Sequence, residues 1–83
     1  MTLYVQVQYF ARFRETLQTE SERLEGAFAT VDAVRQHLLQ RGGVWEVLAD
    51  QGIMCARNQE LCSLNEPVEQ GDEVAFFPTV TGG

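Results

Sequence analysis

The chain has 83 residues, 45% of them hydrophobic and 22% charged, with a formal net charge of −6 at pH 7. This length predicts one domain with a small core, and the ordinary composition excludes a disordered chain. The acidic charge argues against nucleic acid as a partner, which needs clustered Lys and Arg, and favours a basic protein partner.

The N-terminal segment LYVQVQYF predicts the first strand. Its residues alternate with the period of two that is typical of a half-buried strand. One face is apolar and consists of Leu3, Val5, Val7 and Tyr9, and the other is mixed and consists of Tyr4, Gln6, Gln8 and Phe10. This start is unlike a secretory signal, and no apolar run reaches the length of a transmembrane helix, so we expect a cytoplasmic protein without membrane contact. Residues 11–17 then predict a short helix, and residues 21–26 a charged strand suited to a sheet edge.

The main helix is predicted to follow Thr30, which has the hydroxyl of an N-cap. Its apolar stripe has helical spacing and consists of Val31, Val34, Leu38 and Leu39. Gly42 and Gly43 supply the stop. Residues 44–50 predict a second, shorter helical turn with Trp45, Leu48 and Ala49 on one side.

The segment IMCARNQELCSL predicts a hairpin whose two-residue turn is Asn58 and Gln59. In that register Arg57 faces Glu60, Ala56 faces Leu61 and Cys55 faces Cys62. The cysteines fall on a hydrogen-bonded pair, where the Cα atoms are farther apart, so two buried thiols are favoured over a redox switch. Together with His37, expected to be a partly exposed helix residue, they are too few and wrongly spaced for a zinc site, and no metal site is predicted.

The last predicted strand is EVAFFP, which Pro78 ends. The order of elements predicts an α+β roll of the ubiquitin-like, β-grasp kind, with a mixed sheet of about five strands and one main helix on one face. The first and last strands would be central neighbours. Residues 1–78 are the predicted domain, and residues 79–83 are a flexible C-terminal Gly-Gly tail.

The same alternation predicts an apolar patch on the face of the sheet away from the helix. Parallel central strands would bring Phe10 and Phe77 to one corner, with Leu61 on the same face. Such patches on small domains usually mark a docking surface. The alternative is that the strand parity is shifted by one residue and these side chains belong to the core.

No cluster of polar residues typical of catalysis or phosphate binding is evident in the sequence. The chain ends on Gly82 and Gly83. Without side chains, such a tail can enter a narrow channel and present an unhindered carbonyl to a nucleophile. Because a carboxylate is inert, a partner would first have to activate it, for instance as an acyl-adenylate with ATP.

The segments DEVAFFP, TVTGG, TVDAVRQHL and NQELC together resemble the MoaD/ThiS-type sulfur carriers, over essentially the full chain and most closely the branch that forms the small subunit of molybdopterin synthase. The resemblance implies a non-catalytic, sulfur-donating subunit that binds no cofactor itself. An E1-like enzyme would adenylate Gly83 with ATP, and a persulfide-bearing donor would supply sulfur for a thiocarboxylate. The large subunit, in a two-by-two heterotetramer, would then transfer that sulfur to cyclic pyranopterin monophosphate during molybdenum cofactor biosynthesis.

Residue roles also follow from the resemblance. Gly83 would bear the thiocarboxylate and Gly82 would give it clearance. The inserted tail would include Thr79, Val80 and Thr81, and the partner interface would comprise Phe10, Leu61, Phe77 and Pro78. Thr79 stands where many members carry a second proline, so a more flexible tail root is expected here.

Three other functions fit a glycine-ended small domain. A sulfur carrier for thiamin thiazole synthesis shares the fold and terminus, but the segment FFPTV and the longer chain argue against it. A ubiquitin-like modifier would join Gly83 to a target lysine; this chain has no lysine, which excludes chains of it on itself. In a plain interaction domain the glycines would be incidental.

Overall fold

The computed structural model of the chain describes residues 2–79, and Met1 and residues 80–83 lie outside the described part. The strands are β1 (Leu3–Tyr9), β2 (Ser21–Gly26), β3 (Met54–Arg57), β4 (Glu60–Cys62) and β5 (Glu73–Phe77). The helices are α1 (Ala11–Leu17), α2 (Val31–Leu39) and a 3₁₀ helix (Gly43–Ala49). Each lies within or closely matches a segment predicted from the sequence.

The five strands form one mixed sheet in the order β2-β1-β5-β3-β4. β1 and β5 are parallel neighbours at its centre, and the other pairs are antiparallel. β2 lies at one edge, as its charged sequence predicted. The architecture is the predicted α+β roll, and the central pairing of the first and last strands is confirmed.

The core lies between the inner face of the sheet and the helices. On β1, Val5, Val7 and Tyr9 are buried, in agreement with the predicted alternation. Val74 and Phe76 of β5 continue the same layer and have no exposed surface. The helices add buried side chains from one stripe each, namely Phe13, Leu17, Val31, Val34, Leu38 and Leu48.

The helix α2 has the ends that its sequence predicted. The Thr30 hydroxyl accepts a hydrogen bond from the backbone N–H of Ala33 at 3.2 Å, which satisfies a free donor of the first turn. Gly42 and Gly43 follow the helix with φ of +70° and +59°. Residues other than glycine rarely adopt such φ angles, so these two glycines allow the chain to reverse its direction. His37, on the last turn, is exposed as expected.

The second helical segment differs from its prediction in one respect. Trp45 packs against the core and Leu48 is buried, but Ala49 is exposed. The segment is a 3₁₀ helix, in which residues three apart share a face. Residue 49 therefore points away from the side formed by residues 45 and 48, and its predicted place there is wrong.

The β3–β4 hairpin has the predicted register, in which Arg57 pairs with Glu60 and Cys55 with Cys62. Both turn residues have positive φ, +51° for Asn58 and +71° for Gln59. Two such angles in a two-residue loop are typical of a type I′ turn, whose twist matches that of the strands. Within residues 2–79, no helix is long and apolar enough to cross a membrane.

Candidate functional site

The outer face of the sheet contains an apolar pocket, which we define by its three large side chains, Phe10, Leu61 and Phe77. Its volume is about 400 Å³. Phe10 follows β1 and Phe77 ends β5, so the parallel pairing of these strands brings both rings to one corner of the sheet. The backbone N–H of Phe10 donates to the carbonyl of Phe76 at 3.1 Å, which continues that pairing past the end of β1.

Two alanines form the floor of the apolar pocket. The register places Ala75 of β5 beside Gln8 on one side and Ala56 of β3 on the other, and Ala56 faces Leu61. Ala56 and Ala75 point to the outer face, yet each is only 8% exposed. The surface is therefore concave, because small side chains lie at its centre and large ones surround them. A larger residue at either alanine position would fill the hollow.

The side chains of the apolar pocket are accessible from solvent. Phe10 is 42% exposed, Leu61 is 68% exposed and Phe77 is half-buried. Their shared outer face confirms the predicted strand parity, and the alternative that all three belong to the core is wrong. That they contact a partner stays a prediction.

The remaining predicted site residues are divided between the folded domain and the undescribed end of the chain. Pro78 is buried and does not line the apolar pocket, in contrast to the other three predicted interface residues. The Thr79 hydroxyl donates to the carbonyl of Gly52, so this residue contacts the loop before β3. Val80, Thr81, Gly82 and Gly83 lie outside the described residues.

A cluster of charges around Arg57 supports the hairpin behind the apolar pocket. The Arg57 guanidinium donates to Asp72 at 2.6 Å and to Glu66 at 3.1 Å, and Glu69 lies 3.5 Å away. Asp72 is 7% exposed and also accepts from the backbone N–H of Glu69 and the amide of Asn58. Burial alone would raise the pKa of Asp72, but the hydrogen bonds from Arg57, Glu69 and Asn58 outweigh it and hold that pKa below its ordinary value.

Sequence reasoning missed this cluster, because its members are separated by up to fifteen positions along the chain. The available signal was weak. Asp72 follows Gly71 in a turn, and turn aspartates usually accept nearby backbone hydrogen bonds. Nothing local indicated that Arg57 would be the cation beside it.

A second polar group closes the opposite edge of the sheet, at β2. Glu22 accepts from the Tyr9 hydroxyl at 3.0 Å and from both terminal nitrogens of Arg41, at 2.7 and 3.0 Å. The Arg41 guanidinium also lies over the ring of Trp45 at 4.4 Å. Burial raises the pKa of Tyr9, while hydrogen bonds from Arg41 and Tyr9 overcome the effect of burial on Glu22 and lower its pKa. This group joins the edge strand to the end of α2.

The cysteine pair is the remaining chemically reactive group. Both thiols are free, with Cys55 buried and Cys62 half-buried. Their Sγ atoms are 3.8 Å apart, and the Cys55 thiol donates to the carbonyl of Cys62 at 3.3 Å. The prediction of two buried thiols is thus right for Cys55 and only partly right for Cys62, because β4 is the outermost strand. Among residues 2–79, no group of three or more His, Cys, Asp or Glu side chains is placed to hold a metal ion.

Comparison with known proteins identifies close relatives. The chain is 46% identical over 78 residues to the molybdopterin synthase sulfur carrier subunit of Haemophilus influenzae, covering 93% of this chain and 96% of that protein. It is 41% identical over 80 residues to the protein of the same name in Escherichia coli, covering 95% and 99%.

Solved structures share the fold. The crystal structure of SAMP1 from Haloferax volcanii matches with a TM-score of 0.80 and 28% identity, over 96% of this chain and 99% of that one. A complex of subunits 1 and 2 of molybdopterin-converting factor from Helicobacter pylori contains a chain that matches with a TM-score of 0.65 and 27% identity, over 98% and 100%. These neighbours confirm the predicted β-grasp fold. The ThiS family model matches residues 7–83, nearly the whole sequence, and the chain belongs to the ThiS family.

Proposed function

We propose that this chain is the sulfur-carrying small subunit of molybdopterin synthase and that Gly83 carries the sulfur. The observation that supports this most directly is sequence identity of 41–46%, over more than nine-tenths of this chain, with two sulfur carrier subunits of that enzyme. The ThiS family model also matches through Gly83, the second of the two glycines that follow Thr79, Val80 and Thr81.

The chemistry takes place on the terminal carboxylate. An E1-like enzyme transfers the AMP group of ATP to the Gly83 carboxylate and releases pyrophosphate, so that a poor leaving group on the acyl carbon becomes a good one. The outer sulfur of a persulfide-bearing donor then attacks the acyl carbon and AMP leaves, which gives an acyl disulfide. A second thiol cleaves this bond by forming a disulfide with the donor cysteine, and the thiocarboxylate is released. Ionised sulfur is a better nucleophile than a carboxylate oxygen, so the carrier needs no general base of its own. The large subunit supplies the catalytic groups for transfer to cyclic pyranopterin monophosphate.

The apolar pocket is the proposed contact with the large subunit. It lies where β1 and β5 end, and Gly83 follows the last residue of β5 by only six positions in the sequence. Apolar concave surfaces with aromatic walls are common binding hot spots. The Helicobacter pylori structure supports such a pairing, because it is a complex of subunits 1 and 2 of molybdopterin-converting factor.

The test of the carrier function is an intact mass of the protein after incubation with its activating enzyme, ATP and a sulfur source. We expect a gain equal to the mass difference between sulfur and oxygen, located on the peptide that contains Gly83. A variant that lacks Gly82 and Gly83 is the matched control, which should remain folded and unmodified. An unchanged mass of the full chain, with an activating enzyme that modifies a known carrier, would contradict the proposal.

The test of the docking surface is the substitution Phe77→Ala, because Phe77 is a wall of the apolar pocket. We expect affinity for the large subunit to fall about thirtyfold or more, since aromatic hot spots cost about 2 kcal/mol or more on truncation. Val44→Ala is the control, because Val44 is 55% exposed and lies in the 3₁₀ helix, outside the apolar pocket. Equal affinity of both variants by calorimetry would contradict this contact.

A second candidate function is covalent protein modification through Gly83. The similarity to SAMP1 favours it, since another solved neighbour from Haloferax volcanii, with a TM-score of 0.79, is described as small archaeal modifier protein 1. This function predicts a ladder of adducts on immunoblots that resists reduction and disappears when Gly82 and Gly83 are deleted. A carrier alone gives no such ladder.

A further inference from the structure

The cysteine pair of the β3–β4 hairpin has the geometry of a disulfide site. Cys55 and Cys62 face each other across the two strands, with their Sγ atoms 3.8 Å apart. A hydrogen-bonded pair of residues has Cα atoms about 5.5 Å apart, and disulfides span Cα separations of about 4.4–6.8 Å. In the sequence this Cα separation argued against a disulfide. It nevertheless falls within the range of Cα separations that disulfides span. The two sulfur atoms, at 3.8 Å, have to approach each other to about 2.05 Å for a bond to form.

We propose that Cys55 and Cys62 are a reversible thiol–disulfide site, in which Cys62 reacts first with a small disulfide and Cys55 then completes an intramolecular bond. This inference does not rest on the proposed function, because it uses neither Gly83 nor the apolar pocket.

The two cysteines differ in accessibility, and this difference sets the order of the two steps. Cys55 is 2% exposed, and burial raises the pKa of its thiol well above the ordinary value, so little of it is thiolate at neutral pH. Cys62 is half-buried on the outermost strand, which no further strand covers. It also lines a polar cavity of about 350 Å³. An incoming disulfide can reach Cys62 from this side, whereas Cys55 has almost no exposed surface.

The reaction balances with oxidised glutathione as the oxidant. The Cys62 thiolate attacks one sulfur of the oxidised glutathione, forms a mixed disulfide and releases one glutathione thiolate. The Cys55 sulfur then attacks the Cys62 sulfur of that mixed disulfide, and the bond to the second glutathione breaks. The proton of the Cys55 thiol ends on the departing glutathione. The two cysteines together lose two electrons, and one molecule of oxidised glutathione becomes two of reduced glutathione.

The bond would fasten an otherwise weakly held strand. β4 has three residues and, within residues 2–79, pairs only with β3. A covalent link at Cys62 ties the free end of that strand to a strand that is itself paired with β5. Leu61, next to Cys62 on the same strand, is thereby held in place on the outer face.

The experiment is incubation of the full chain with excess oxidised glutathione at neutral pH, followed by intact mass and maleimide labelling. We expect the mass to fall by the mass of two hydrogens, with no glutathione retained. Neither cysteine should then react with maleimide. Dithiothreitol should restore both thiols. Cys55→Ser should retain one glutathione on Cys62, because the resolving thiol is absent, and Cys62→Ser should remain unmodified.

Four outcomes would overturn the proposal. The first is a wild-type chain that keeps glutathione on Cys62, and the second is a disulfide-linked dimer. The third is a folded chain whose thiols both stay free under conditions that oxidise the same chain in urea. The fourth, addition of glutathione to Cys55 in the Cys62→Ser variant, would contradict the order of the two steps.

Discussion

Asp72 shows how much one side chain contributes to the support of the hairpin. It accepts hydrogen bonds from the guanidinium of Arg57, the backbone of Glu69 and the amide of Asn58. A nearly buried carboxylate is tolerated because these donors replace the water that it loses. Arg57 retains two other carboxylates, Glu66 and Glu69, so the removal of Asp72 does not leave that cation without a partner.

We therefore predict that Asp72→Ala lowers the free energy of unfolding by about 2–3 kcal/mol, the scale of hydrogen bonds to a buried charge. Asp72→Asn keeps the shape and an acceptor oxygen for the Glu69 backbone, so it should cost less. Urea denaturation of the three proteins measures both differences. Equal stability of the alanine variant and the wild type would contradict this account of the cluster.

The β3–β4 hairpin is the element that joins most of the features described above. It carries Leu61 and Ala56 on its outer face and the cysteine pair on its inner face, and Arg57 and Asn58 at its end make the contacts with Asp72. Its type I′ turn is strained at one position, because Gln59 has a φ of +71°. A side chain in that region costs about 1–2 kcal/mol relative to glycine.

At the level of this element, Gln59→Gly should raise the free energy of unfolding by about 1 kcal/mol, since Asn-Gly is the preferred pair for the turn. The control is the same change at Gln36, in the interior of α2. There glycine should destabilise by about 1 kcal/mol, because it weakens a helix. Thermal unfolding of both variants is the measurement, and shifts of the same sign would contradict the turn assignment.

Local patterns were sufficient to predict most of the elements but not their cooperation. Alternation along β1 and the Asn58-Gln59 turn predicted the strand faces and the hairpin register, and therefore the walls of the apolar pocket. The floor was missed, because nothing in the sequence places Ala56 beside Ala75. The Arg57 cluster was missed for the same reason, since long-range contacts depend on the packed sheet. The 3₁₀ geometry that exposes Ala49 was also missed, because the three-residue spacing of Trp45 and Leu48 fits an α-helix as well as a 3₁₀ helix.

Across the whole molecule, stability depends on carboxylates that are bonded in the folded state. Glu22 ties β2 to Arg41, and Asp72 ties the opposite side of the sheet to Arg57. The pKa values of both are lowered by folding. The unfolded chain therefore takes up these protons at a higher pH than the folded chain, and protonation favours unfolding.

For the intact domain, we predict that this contribution to stability is complete above the unfolded pKa values of about 4 and is lost as the pH falls through the lowered values of the folded state. Melting temperatures measured between neutral pH and pH of about 3 test this. The double variant Glu22→Gln with Asp72→Asn should start lower and decline less steeply with acid. A decline as steep as that of the wild type would contradict the assignment to these two groups.

The parallel pairing of β1 with β5 also has a consequence for the order of folding. Gln6 pairs with Glu73, so the two central strands come from distant parts of the chain. Closing the long loop between β1 and β5 is slow, because the chain loses conformational entropy before the stabilising contacts between the two strands form. During synthesis β1 is made long before β5, and until β5 arrives one edge of β1 has no partner.

The pairing that completes the sheet is also the one that brings Phe10 beside Phe77. A binding partner that required both rings would thus engage only molecules that had finished folding, and the apolar pocket would act as a check on the quality of the chain that presents it.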